Sequence, residues 1–311
     1  MKKEMVLLTI LLLIAGCTPG TQQPDKETQP ADYRSGNQGL RISFVPNMPP
    51  HRIFDTDEIN VLIELENMGA YTTEGPADRV YLSGFDPAIL SGIKTSGKSI
   101  PRLEGKGPYI SRGATDRVSF SGIPAILSVK NIDKYPLRLL ATACYEYQTI
   151  ASANICIDPN PYKLSTTEKV CTPKSVSMGG GQGAPIAVTN IDVEASPGLT
   201  RLRIDVRNTG GGEVFKPGID TMQRCSPYTS GLGFDEIDYV RITDVSMPGY
   251  SIMQSCRPLD QGYLRLVNGK GTLYCEINTR GQSVYMTPVT IKLDYGYKNV
   301  IFKDTEIISV Q

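Results

Sequence analysis

The chain has 311 residues in which 32 Lys plus Arg balance 32 Asp plus Glu, and without the first 16 the count becomes 30 against 31. With no basic run longer than Lys2-Lys3, the clustered cations that hold nucleic acid are missing, so no nucleic-acid partner is expected. Hydrophobic content of 40% predicts a folded chain with room for two ordinary domains, while a single His (His51) and no Trp leave Ser-His-Asp and Cys-His mechanisms and most zinc sites resting on one imidazole.

Met1-Lys2-Lys3-Glu4 is followed by an apolar run over residues 5–15. Eleven residues are too few to cross the roughly 30 Å hydrocarbon core as a helix, so residues 1–16 read as a signal peptide. The run ends in Ile14-Ala15-Gly16-Cys17, which resembles a bacterial or archaeal lipobox and implies cleavage before Cys17 and lipidation of its thiol. Residues 17–39 are polar and Pro-rich, as a flexible tether between anchor and domain would be. Acyl chains at about 0.8 kcal/mol per buried methylene make such an anchor permanent. The expected location is extracytoplasmic, anchored to the membrane at the cell surface, with the membrane itself as one partner.

Beyond the tether, apolar residues alternate with polar ones in Ile59-Asn-Val61-Leu-Ile63-Glu-Leu65-Glu, Leu202-Arg-Ile204-Asp-Val206-Arg and Val289-Thr-Ile291-Lys-Leu293-Asp-Tyr295, the period of half-buried strands. Gly and Pro punctuate the chain every 8 to 15 residues, as turns do in a β-sandwich, and no amphipathic helix of 12 residues stands out. The class is all-β. The halves also look alike: the first and second strands quoted end in Asn67-Met-Gly69 and Asn208-Thr-Gly210, and each half closes on a similar hairpin, in which a Tyr-x-Tyr (Tyr145, Tyr147; Tyr295, Tyr297) is followed by an Asn-led apolar segment. One unit occurring twice explains this, giving sandwiches over residues 40–158 and 185–311 joined by a linker over 159–184.

Six cysteines besides Cys17 form an even set in a chain expected to be exported, so disulfides are the default reading. A hairpin turning near Ile150 would place Cys144 opposite Cys156 on the face away from Leu139, Ala141, Ala143, Tyr145 and Tyr147, which predicts a Cys144–Cys156 bond. The pairing of Cys171, Cys225, Cys256 and Cys275 stays open.

Candidate chemistry is thin. Asp55, Asp57 and Glu58, and separately Asp235, Glu236 and Asp238, have the oxygen ligands calcium takes but no EF-hand spacing, so solvated loop charges are expected and no metal site is assigned. Gly92-Ile-Lys-Thr-Ser-Gly97-Lys98-Ser99 matches the P-loop pattern, yet Pro101, Gly105 and Gly107-Pro108 follow where a helix must begin, so it reads as a loop. Gly179 to Gly183 could form an anion-binding nest but reads as linker. His51 follows Pro49-Pro50 and reads as a surface or packing residue, and the recurring tyrosines as core residues with hydroxyls at the rim. No catalytic residue and no cofactor is predicted.

A strand ending in Asn-x-Gly, then Tyr-x-Tyr and a last strand, resembles the immunoglobulin-like modules of CARDB type found in archaeal and bacterial surface proteins. The string Ala141-Thr-Ala-Cys-Tyr-Glu-Tyr-Gln-Thr149, then Ile155-Cys-Ile-Asp158 and Gly181-Gln-Gly-Ala-Pro185, resembles a group of archaeal surface lipoproteins over most of residues 40–311. The resemblance implies fold and location and carries over no functional residue. The function expected is non-enzymatic: a binding, adhesion or envelope-structural module with an envelope or surface protein as partner. The alternatives are a solute-capturing lipoprotein with a pocket between the domains and a surface hydrolase whose carboxylate pair is unmarked.

Overall fold

The computed structural model describes residues 33–163, 168–179 and 181–310. Strands make up 52% of the described residues and helix 4%, so the all-β class holds. The first half supplies β1 (Leu40–Phe44), β2 (Arg52–Phe54), β3 (Ile59–Asn67), β4 (Arg79–Ser83), β5 (Leu90–Ser91), β6 (Lys98–Ser99), β7 (Thr115–Pro124) and β8 (Lys134–Ile157). The second supplies β9 (Val176–Ser177), β10 (Ile186–Ser196), β11 (Leu199–Asn208), β12 (Glu213–Phe215), the short helix α1 (Ile219–Arg224), β13 (Tyr239–Met247), β14 (Tyr250–Ser251), β15 (Tyr263–Arg265), β16 (Lys270–Asn278) and β17 (Tyr285–Ile308).

The repeat is visible in the sheets. β1-β3-β7 and β10-β11-β16 are antiparallel counterparts, extended by β5 and β9. Both cover the same face of a nine-stranded sheet in which six strands run in the order β14-β13-β17-β8-β4-β6 and β2, β12 and β15 complete the nine, β2 and β12 on β17 and β15 on β13. The axis of that sheet is the pairing of β8 with β17 over 24 residues each, with Tyr145 opposite Tyr297 and Tyr147 opposite Tyr295. A residue of β8 has its counterpart 150 positions later in β17, and the pair Glu146–Gly296 lies at the centre of this internal two-fold. Because the ribbon belongs to both repeats, β1 of the first packs on β17 of the second and β10 of the second on β8 of the first. One apolar core runs through both halves, and Asp32–Gln311 forms a single compact unit.

The hairpin expected near Ile150 does not exist, nor does its counterpart after Tyr297: β8 and β17 are each one continuous strand. The physical reason lies in composition. Between Arg138 and Ala153 there is no Gly, Pro, Asn or Asp to reverse the chain, and Gly296 is needed because a Cβ there would run into the Phe215 ring, not for a turn. Side-chain parity was sound, since Leu139, Ala141, Ala143, Tyr145, Tyr147, Ile155 and Ile157 all face the core. Cys144 and Cys156 do share the other face, but 12 residues apart on one strand, on the order of 40 Å. The expected Cys144–Cys156 bond is therefore corrected to Cys144–Cys225 and Cys156–Cys171, with Cys256–Cys275 the third. The Cys144–Cys225 bond ties the β12–β13 loop with α1 onto the outer face of β8, among Tyr81, Phe215 and Met222. Three disulfides mark an oxidising, extracellular-type setting.

Candidate functional site at the seam of the repeats

The two Asn-x-Gly endings and the two Tyr-x-Tyr pairs meet at the centre of the ribbon. The four rings form a ring-to-ring cluster with centroids 5.9 to 6.5 Å apart in edge or tilted geometry, as aromatic quadrupoles favour. Their hydroxyls are buried instead of lying at the rim, and burial pushes all four phenols above their ordinary range, so they remain neutral donors and acceptors.

Each hydroxyl fixes a strand end. Tyr147 donates to Asn67 Oδ1 (2.9 Å) and Tyr297 to Asn208 Oδ1 (2.9 Å). The same oxygens accept the N–H of Gly69 and Gly210, two residues on. Asn67 Nδ2 then donates to the carbonyls of Tyr71 and Leu103, and Asn208 Nδ2 to that of Gly212. Glycine is required at the third position because a Cβ on Gly69 or Gly210 would collide with the tyrosine hydroxyl. The first tyrosines hold the first strands: Tyr145 accepts Leu40 N–H (3.2 Å) and Tyr295 accepts Ile186 N–H (3.4 Å). Thr149 donates to the Ile186 carbonyl (2.6 Å), so the 2.9 Å contact of its hydroxyl with Tyr295 is a donation from the tyrosine.

The residues proposed from sequence fall elsewhere. Gly92 and Gly97 take positive φ in the connection between β5 and β6, and Lys98-Ser99 is the edge strand β6 on β4 with no helix after it, as the loop reading expects. The segment around Gly181 and Gly183, read as linker, instead stitches the repeats. Gln182 exchanges two hydrogen bonds with the Val188 backbone, Gly183 N–H donates to Gly36 and the Gly183 carbonyl accepts Ala70 N–H. Asp55 is buried and accepts the N–H groups of Leu127 and Val310, which hold its carboxyl below its usual range, while Asp57 and Glu58 are exposed. Glu236 is taken by Arg224 and Gly233 N–H, and His51 is exposed with its carbonyl accepting from Thr305 and Glu306. Among the described residues no three His, Cys, Asp or Glu side chains are placed to hold a metal ion, and no helix is long and apolar enough to cross a membrane. Cys17 lies outside the described residues.

Beside the tyrosines, a cleft of about 230 Å³ is lined by Tyr71, Glu146, Gln148, Gly218, Arg241 and Asp294. Glu146 accepts Gly218 N–H (2.8 Å) and so ties the approach to α1 to the ribbon centre. Under it sits Asp78, buried, accepting the N–H groups of Gly75 and Glu146 at 3.0 Å each. Burial raises its carboxyl to about 6, the two N–H bonds pulling back and the Glu146 charge adding. A raised folded value means that stability from this group is present in full below the unfolded value, near 3.8, and is lost as pH rises through about 6. The loss is on the order of 3 kcal/mol. Denaturant titrations from pH 4 to 7 should show that slope in the wild type and its flattening in Asp78→Asn; identical profiles would contradict the assignment. Asp78 carries no signal in the sequence, and Thr149 and Gln182 stand there only inside the strings that carry the resemblance. No protein-family profile matches the chain, and no curated protein matches it.

Proposed function

We propose that the chain is a non-enzymatic cell-surface protein, held to the membrane through lipid on Cys17, whose fused double repeat serves as a binding, adhesion or envelope-structural module for an envelope or surface protein. The observation that carries this reading is the fate of the polar groups at the seam. Asn67, Asn208, Thr149 and the four tyrosine hydroxyls are bonded to one another and to backbone, so the most developed polar arrangement of the fold holds strands in place. The disulfides and the lipobox-like Ile14-Ala15-Gly16-Cys17 agree on an exported setting. Solute capture has less support at the seam, whose two clefts measure about 230 and 200 Å³, below the roughly 300 Å³ at which ligand pockets begin; the larger clefts, about 470 and 620 Å³, lie beside Ser152 and Met178 and beside Asp158 and Lys169.

Cys17→Ser tests the anchor. The wild type is expected in the membrane fraction and in the detergent phase on phase separation, and the variant in the aqueous extracytoplasmic fraction. A variant that still sediments with membranes contradicts covalent anchoring.

A further inference from the structure

Next to the seam, the outer face of the central sheet carries cations laid on aromatic rings. β13 and β15 pair with Tyr239 opposite Arg265 and Arg241 opposite Tyr263. Val240 and Leu264 between them are buried, so these four face outward. The β12–β13 loop adds Lys216 and Phe234. Lys216 Nζ lies 4.5 Å from the ring centre of Tyr239 and 5.1 Å from that of Tyr263. The Arg265 guanidinium lies 4.1 Å from the ring centre of Phe234 and 5.4 Å from that of Tyr239. Sharing Tyr239, the two charges stand within about 10 Å of each other. Among the described residues none of Lys216, Arg241 and Arg265 forms an ion pair. The acids around them are partly committed: Glu236 to Arg224 and Gly233 N–H, and Asp294, opposite Arg241, to Gln148, while Asp235 follows Phe234 and Asp238 precedes Tyr239 in the chain.

Stacking holds a guanidinium plane while leaving its N–H edge free, a fork preset for a carboxylate. We propose that this face binds an acidic glycan, with Arg265, Lys216 and Arg241 on its carboxylates and Phe234, 73% exposed, against a sugar ring. Charge complementarity names the anion, and the fold selects its carrier. Both edges of β13 are occupied, by β17 on one side and by β14 and β15 on the other, so an acidic peptide could add only to the three-residue edge of β15, too short for strand addition to hold it. A helical peptide needs several apolar anchors, and this face offers one strongly exposed ring. Nucleic acid is disfavoured by the balanced net charge. The proposal deepens the binding reading above and rests on it, but its test needs neither the anchor nor a protein partner.

The test is affinity electrophoresis of the full-length protein in gels containing polygalacturonate, with dextran as neutral control and poly-glutamate as acidic-peptide control. Retardation is expected in polygalacturonate alone and should weaken with salt. Lys216→Ala and Arg265→Ala should each weaken it about tenfold, the loss of one charged hydrogen-bonding group. Arg265→Lys, which keeps the charge and loses the flat fork, should fall between, and Lys98→Ala on β6 should behave as wild type. Undiminished retardation of the Lys216→Ala/Arg265→Ala double variant, equal retardation by dextran, or stronger retardation by poly-glutamate overturns the proposal. A membrane-anchored protein that ignores polygalacturonate sinks this proposal alone, whereas a Cys17→Ser protein that binds it yet sediments with membranes sinks the anchor alone.

Discussion

Asn67→Ala is expected to lower the free energy of unfolding by about 3–5 kcal/mol, near the top of the range for single substitutions. Asn67 is buried and bonded four ways: its Nδ2 to the Tyr71 and Leu103 carbonyls, its Oδ1 from Gly69 N–H and the Tyr147 hydroxyl. Truncation leaves all four partners unpaired, three of them at buried bonds. Asn67→Asp keeps the acceptor but turns a carboxylate toward two carbonyls, and should be no better. Asn208→Ala, half-buried and with one donor bond fewer, should cost about 2–3 kcal/mol. Urea titrations of the three variants measure this. An Asn67→Ala protein within 1 kcal/mol of wild type would mean that the tyrosine cluster does not set the strand ends.

Replacing Cys144 and Cys225 together by Ala should cost about 4 kcal/mol, because the bond closes 81 residues of chain and restricts the unfolded ensemble accordingly. Removing Cys156–Cys171 or Cys256–Cys275, across 15 and 19 residues, should cost about 3 kcal/mol each. The long bond also pins α1 and Phe215 over the ribbon, so its loss should raise amide exchange in residues 216–226 while leaving β3 and β11 protected. Peptide mapping without reduction checks the premise. Recovery of Cys144 bonded to Cys156 would restore the hairpin and contradict the continuous β8.

What the sequence made legible follows from period and punctuation. β3, β11 and the first part of β17 alternate cleanly and are strands. The repeat was legible too, because Asn-x-Gly and Tyr-x-Tyr recur with the same spacing logic in both halves. That these motifs bond to each other was not, since a hairpin at Ile150 put the tyrosines at strand ends, whereas the absence of Gly, Pro, Asn and Asp from Arg138 to Ala153 carries the strand straight through. Parity fixes which face a cysteine takes but not what covers that face, so the face of Cys144 was legible while its partner was wrongly read as Cys156, the pairing of Cys225, 81 residues away, having been left open. Lys216, Phe234, Tyr239 and Arg265 come from separate stretches, and only the β13–β15 pairing and the β12–β13 loop bring them together.

The central claim is that the two repeats are one body, joined through the β8–β17 ribbon, a shared core and the Cys144–Cys225 bond. Differential scanning calorimetry tests it directly. One cooperative transition with equal calorimetric and van't Hoff enthalpies is predicted for the oxidised protein. Two resolved transitions, assignable to residues 40–158 and 185–311, would contradict it and return the repeats to independent sandwiches.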